Sequence, residues 1–162
     1  MKRSVSSGHF KSSTKKESIY FKQSSVVDVE KYAVNVVIIH DVMEHHDNYA
    51  AISDFFIENL KEKVLISWMD LKGHGLSSGT RGHLENFDEY CLDLINWINL
   101  SQKTKKVEKT FILGHGVGAL SVLKAISEYS ERIIPSISGL ILSNPFFEIN
   151  NKTYISGAQS KT

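Results

Sequence analysis

Cysteine appears once in 162 residues, positive and negative charges nearly balance, and no long hydrophobic run interrupts the chain. The lone thiol, Cys91, has no partner for an internal disulfide. Its helix-period neighbours Leu92, Leu94 and Ile95 make it a small core side chain rather than a reactive group. Nineteen basic against eighteen acidic residues leave a formal charge of +1, which excludes a broad positive field for nucleic acid or an anionic membrane surface. A secretory signal needs roughly 7 to 15 consecutive apolar residues and a spanning helix about 20. Neither is present, so the expectation is a cytoplasmic chain without stable membrane insertion. Residues 1–17 are themselves nearly devoid of apolar side chains. Serine and lysine dominate there, too little can be buried to offset the entropy of ordering, and the segment reads as a flexible leader.

What the chain does have is 41% hydrophobic residues in a length suited to one domain. Four apolar, β-branched runs read as buried strands: Val34 to Ile39, Val64 to Met69, Phe111 to Leu113 with its flanks, and Leu140 to Leu142 with its flanks. Helical spacing places Ile52, Phe55, Phe56 and Leu60 on one face, then Phe87, Tyr90, Cys91, Leu94 and Ile98, then Leu120, Leu123, Ile126 and Tyr129. Asn86, three residues before Glu89, is a start signal for the second helix. Strands alternating with amphipathic helices predict an α/β fold, a mostly parallel sheet with helices on both faces. Ser18 to Ser25 adds an antiparallel edge strand. Residues 18–149 form the expected domain and 150–162 a polar tail, which would leave the last strand unpaired and open to self-association.

Chemistry concentrates in three segments. Phe111 to Leu120 is a strand, a tight glycine turn Gly114-His115-Gly116-Val117-Gly118, and the start of a helix. Val36 to Tyr49 carries His40-Asp41-Val42-Met43-Glu44-His45-His46, and Asp70 to His83 carries Asp70-Leu71-Lys72-Gly73-His74-Gly75-Leu76-Ser77-Ser78-Gly79. In this order they resemble the H-G-x-x-E-H loop, the D-x-x-G-H-G-x-S-x-G stretch and the G-x-S-x-G nucleophile turn of α/β-hydrolases of the monoacylglycerol lipase and lysophospholipase group, related to serine aminopeptidase-like hydrolases. The resemblance covers about residues 18 to 149. It implies acyl-ester hydrolysis without metal or organic cofactor, a small single-chain lipid ester as substrate, and backbone oxyanion donors at Val42 and Val117. It also implies motif-supporting roles for His40, Asp70, Gly73, His74, Gly75, Gly114, His115 and Gly118.

Two departures stand out. Gly116 occupies the nucleophile position, so the attacking hydroxyl is missing, and Asp41 replaces a glycine beside the oxyanion donors, where an ionised carboxylate opposes developing negative charge. By resemblance the lid, the triad aspartate and the triad histidine belong downstream of the last matched strand, so the chain reads as an incomplete α/β-hydrolase core, catalytically dead, in the manner of a truncated copy. The alternative is a non-catalytic binding or interaction module on a degenerate hydrolase fold. A minor alternative takes Gly114-x-Gly116-x-x-Ala119 as a dinucleotide fingerprint, although the next strand ends Ser143-Asn144-Pro145 without an acidic residue for a ribose. Glu44-His45-His46-Asp47 and the histidines at 40, 74, 83 and 115 read as loop architecture rather than metal ligands. Ser77, Ser78 and Ser143 read as loop caps rather than substitute nucleophiles.

Overall fold

Six strands form one sheet in the order β1-β2-β4-β3-β5-β6. The computed structural model describes residues 3–14, 16–26, 29–60 and 63–145. The strands are β1 (Ser4–Lys11), β2 (Ser18–Ser25), β3 (Lys31–Ile39), β4 (Val64–Met69), β5 (Lys106–His115) and β6 (Gly139–Ser143). Helices α1 (Ala50–Leu60), α2 (Asp88–Thr104), α3 (Val117–Glu128) and the single turn α4 (Ser130–Ile133) connect or follow them. β4, β3, β5 and β6 are parallel neighbours, whereas β1 pairs with β2, and β2 with β4, antiparallel. This is the expected mostly parallel α/β sheet, and the expected strand runs all lie inside β3 to β6.

Side chains alternate along the central strands and so feed two cores. Val37, Ile39, Met69, Leu71 and Ile112 pack with Cys91, Leu94, Ile95, Trp97 and Ile98 of α2 and with Val122 and Ala125 of α3. Val36, Ile38, Ile66, Trp68 and Leu113 face the other way, with Ile57 of α1 and Tyr49. Helices therefore cover both faces. Cys91 is fully buried, and burial pushes its thiol up to about 12, in keeping with a packing role. At the start of α2 the Asn86 side-chain oxygen accepts from the backbone N–H of Asp88, 2.9 Å away, satisfying one of the orphan donors of the first turn.

Four expectations need correction. Residues 4–11 of the supposed flexible leader form β1, in register with β2 from Ser4 opposite Ser25 to Lys11 opposite Ser18. Its mostly exposed residues hide the strand from a hydrophobicity reading, but backbone pairing needs no apolar side chains, and Phe10 stacks on the buried Trp97 at 5.8 Å. β2 is thus antiparallel as expected but interior to the sheet rather than at its edge. On α1 the buried residues are Ser53 and Ile57, while Phe55 is 59% and Leu60 48% exposed. Ser53 can go inward because its hydroxyl donates to the Tyr49 carbonyl, 2.6 Å away. On α3 the buried stripe is Gly118, Ala119, Ser121, Val122 and Ala125, with Leu120, Leu123 and Ile126 only half-buried. Close approach to the sheet selects small residues there: a Cβ on Gly118 would lie 2.4 Å from the Ile39 carbonyl oxygen. The tail at 150–162 lies outside the described residues.

Candidate active site

β3, β4 and β5 end level with one another, since Ile39 is opposite both Met69 and Gly114. The segments that follow, His40-Asp41, Asp70-Leu71 and His115-Gly116, therefore meet at the carboxyl rim of the parallel strands, where open α/β sheets place their ligand sites.

Gly116 makes the corner between β5 and α3 with φ +50° and ψ −115°, a left-handed conformation that costs L side chains about 1 kcal/mol or more. A nucleophile turn holds its serine in such strain. Here the space that the side chain would need is already filled. A Cβ at position 116 would lie 2.1 Å from both Cγ and Oδ1 of Asp41 and 2.3 Å from Oδ2. The Asp41 carboxylate, delivered from the loop after β3, occupies the slot above the corner. Its Oδ1 accepts from the backbone N–H of Val42 at 2.7 Å and of Val117 at 2.8 Å. Both backbone groups named as oxyanion donors thus converge on a single oxygen, and that oxygen belongs to the protein. Val117 is the first residue of α3, so the helix dipole adds to the attraction.

The sequence reading missed this contact. The two departures from the motif are coupled: one removes a side chain and the other inserts a carboxylate into the same place. The signal was available in the pairing of a lost hydroxymethyl with a gained carboxymethyl across the rim.

Behind Asp41 lies a hydrogen-bonded group. The Asp41 N–H is shared between Glu44 Oε2 at 3.1 Å and the Tyr49 hydroxyl oxygen at 3.3 Å, and the Tyr49 O–H donates to Glu44. With that proton committed, the 3.2 Å contact between Tyr49 and His115 Nδ1 makes the histidine the donor. Burial alone would raise the Glu44 carboxyl, but the bonds from Tyr49 and Asp41 outweigh it and hold the group below its ordinary range. Burial first, and Glu44 second, push the Tyr49 phenol upward.

His40, 1% exposed, is a strut rather than a base. Its Nε2 accepts from the Leu71 N–H at 2.9 Å, so the proton of the neutral ring sits on Nδ1 and goes to the Asp41 carbonyl at 2.6 Å. Burial lowers its pKa from 6.5 to about 4, more than the bond to the Asp41 carbonyl and the nearby Asp70 and Glu44 carboxylates restore. Asp70, fully buried, accepts from the backbone N–H of His46 and of Leu76, each at 2.8 Å, and from the His46 ring at 2.9 Å. A Cβ on Gly75 would lie 2.1 Å from Asp70 Oδ2, which explains the glycine at that point of the motif. Gly73 and Gly114 are hemmed by the Thr80 carbonyl and by Ala119. His74 Nδ1 donates to the Lys72 carbonyl at 3.0 Å, and Lys72 forms a buried ion pair with Glu89 at 2.7 Å. His83 belongs to the turn closed by its N–H on Thr80.

Ser77 and Ser78 act as loop caps. Ser77 accepts from the Tyr20 N–H at 2.9 Å and donates to the Asp70 carbonyl at 2.6 Å, while Ser78 accepts from the Ser18 N–H at 2.7 Å. Among the described residues no three His, Cys, Asp or Glu side chains gather as a metal would require. The His46 ring turns to Asp70 and meets the His45 ring edge-on at 5.7 Å. No described helix is long and apolar enough to cross a membrane.

Known proteins share this frame. The sequence pattern of a hydrolase family described as serine aminopeptidase, S33, matches residues 30–161. Phospholipase YtpA of Bacillus subtilis is 30% identical over 110 residues, and the monoglyceride lipase of Rattus norvegicus 34% over 115; each alignment takes in 68% of this chain. The chain spans only 39% and 36% of those two relatives. A carboxyl esterase of Bacillus coagulans, solved with glycerol, superposes with a TM-score of 0.71 at 19% identity, covering 86% of this chain and 44% of its own. A monoacylglycerol lipase of Paleococcus ferrophilus gives 0.62 at 23% identity, covering 83% and 46%. At those identities the superpositions establish the fold.

Proposed function

Because this chain belongs to the serine aminopeptidase S33 family of hydrolases, we propose that it is an ester-hydrolase frame whose acyl-ester chemistry is closed at the nucleophile. The ancestral substrate in this reading is a monoacylglycerol or lysophospholipid, the class acted on by relatives named monoglyceride lipase and phospholipase. One observation carries it. The Asp41 carboxylate fills the side-chain slot above Gly116 and takes both backbone donors that an ester oxyanion would need. An incoming ester therefore finds neither an attacking hydroxyl nor free N–H groups for the charge on its carbonyl oxygen. Loss of the serine alone removes on the order of a million-fold in turnover, roughly 8 kcal/mol of barrier lowering. The carboxylate at the start of α3 also argues against a dinucleotide, whose pyrophosphate would meet a negative charge there.

The test is hydrolysis of p-nitrophenyl butyrate and of a 1-monoacylglycerol by the purified chain. The expected outcome is a rate equal to that of buffer. Steady multiple turnover, unaffected by Asp41→Asn, would overturn the reading. A second reading, a binding or interaction module, draws on β6, which has a neighbour on one side only among the described residues, with Leu140 and Ile141 exposed.

A further inference from the structure

On the sheet face that α1 covers, a cavity of about 150 Å³ lies between the β1-β2 hairpin and the helix. None of its lining residues hydrogen-bonds to Asp41 or Gly116. Its two walls carry opposite signs. Arg3, just before β1, and Lys22 of β2 bring cations from the hairpin, while Asp47, in the turn before α1, and Asp54 of α1 bring carboxylates from the other side. Two ion pairs bridge the gap, Arg3 with Asp54 and Lys22 with Asp47, the latter at 3.0 Å. The bond from Lys22 holds the Asp47 carboxyl below its ordinary range, so that wall stays charged at neutral pH.

Tying the hairpin to the helix explains the two ion pairs, but not the polar groups left over inside. Ser24 is only 5% exposed, and its hydroxyl makes no hydrogen bond among the described residues. Trp68 lines the same cavity with Lys22 over its ring at 5.9 Å, and its buried indole N–H has no partner either. Buried polar groups in folded chains are nearly always paired, so two unpaired ones lining one cavity mark the place of an occupant. On the opposite wall Oδ2 of Asp47 and Oδ2 of Asp54 accept no hydrogen bond among the described residues.

An occupant with a net negative charge would meet two carboxylates, and one with a net positive charge two bases. A molecule carrying both charges satisfies both walls. We propose that this slot binds a free α-amino acid with a small apolar side chain. Its carboxylate takes the unspent donors of Arg3, Lys22, Ser24 and Trp68, its ammonium group faces Asp47 and Asp54, and its side chain lies against Val5 and Ala50. At ~30 Å³ per water the cavity has the volume of about five waters, which admits alanine and excludes bulky side chains. The site is separate from the hydrolase reading, and the ester assay has no bearing on it.

The experiment titrates the native chain with L-alanine and follows the two indole N–H resonances by ¹H-¹⁵N NMR. Trp97, packed in the other core, serves as the internal control. The expected result is a saturable shift of Trp68 with Trp97 unmoved, and at least about tenfold weaker binding of propionate and of isopropylamine, each of which carries one of the two charges. Lys22→Met is expected to weaken alanine binding by about tenfold as well. Trp68→Phe assigns the resonance, and Trp97→Phe does so where that variant does not fold. No saturable shift up to the solubility of alanine, equal shifts of both indoles, or binding of propionate or isopropylamine as tight as that of alanine would each overturn the proposal, the first leaving water as the occupant.

Discussion

At the scale of the residue, Asp41 and Gly116 are one structural unit. Gly116→Ser sets a Cβ onto the carboxylate and a side chain onto a left-handed backbone, so it is expected to destabilise the chain by about 2 to 3 kcal/mol. In an Asp41→Gly background the steric part disappears, and a double-mutant cycle in urea should read a coupling of about 1 to 2 kcal/mol. Additive effects would show that the two positions do not share a space. His40 carries a second expectation. Its folded pKa, about 4, lies below the ordinary 6.5, so the unfolded chain binds the proton first as pH falls. The stabilisation is complete above pH 6.5 and lost progressively between 6.5 and 4, amounting to about 3 kcal/mol at the bottom of that window. His40→Gln, whose side-chain oxygen can still accept from Leu71, should be less stable at neutral pH but flatter across that window in equilibrium unfolding.

At the scale of the element, the hairpin of β1 and β2 is tied to the core through aromatic stacking. Phe10 and Phe21 lie against the buried Trp97 at 5.8 and 4.5 Å. Phe10→Ala is expected to cost about 1 to 2 kcal/mol, because part of a ring's buried area and one stacking contact go together. An unchanged melting midpoint would mean that β1 is held by its backbone alone. β3, β4 and the later half of β5 could be read from sequence because both of their faces are covered, which forces continuous apolar runs such as Val64 to Met69, and β6 because Leu140 to Leu142 is apolar although partly exposed. β1 could not, since an edge ribbon with solvent on most of its side chains tolerates Ser, Lys and Gly. Helix faces were misread for a related reason. Periodicity weights large residues, whereas α3 approaches the sheet so closely that Gly118 and Ala119 set the contact. The motif segments of the site were readable as sequence, but the Asp41 contact arises from two loops distant along the chain and follows no local pattern.

At the scale of the whole molecule, the exposed apolar side chains among the described residues include Ile52, Phe55 and Leu60 on α1, and Leu140 with Ile141 on β6. Among the described residues β6 also has one edge without a neighbouring strand, a template for another chain. The expectation is concentration-dependent association in sedimentation velocity, reduced by Ile141→Lys. A monomer at all concentrations would remove the case for an interaction surface. Asp70 bears on a different global property. By gripping the N–H groups of both His46 and Leu76, one carboxylate shuts the two loops that flank the rim, so neither can open without releasing its hold on that shared anchor. Deuterium uptake at those two amides should consequently follow a common clock, slow together in the native chain and quickened together by Asp70→Asn, which makes the mouth of the site a single cooperative gate.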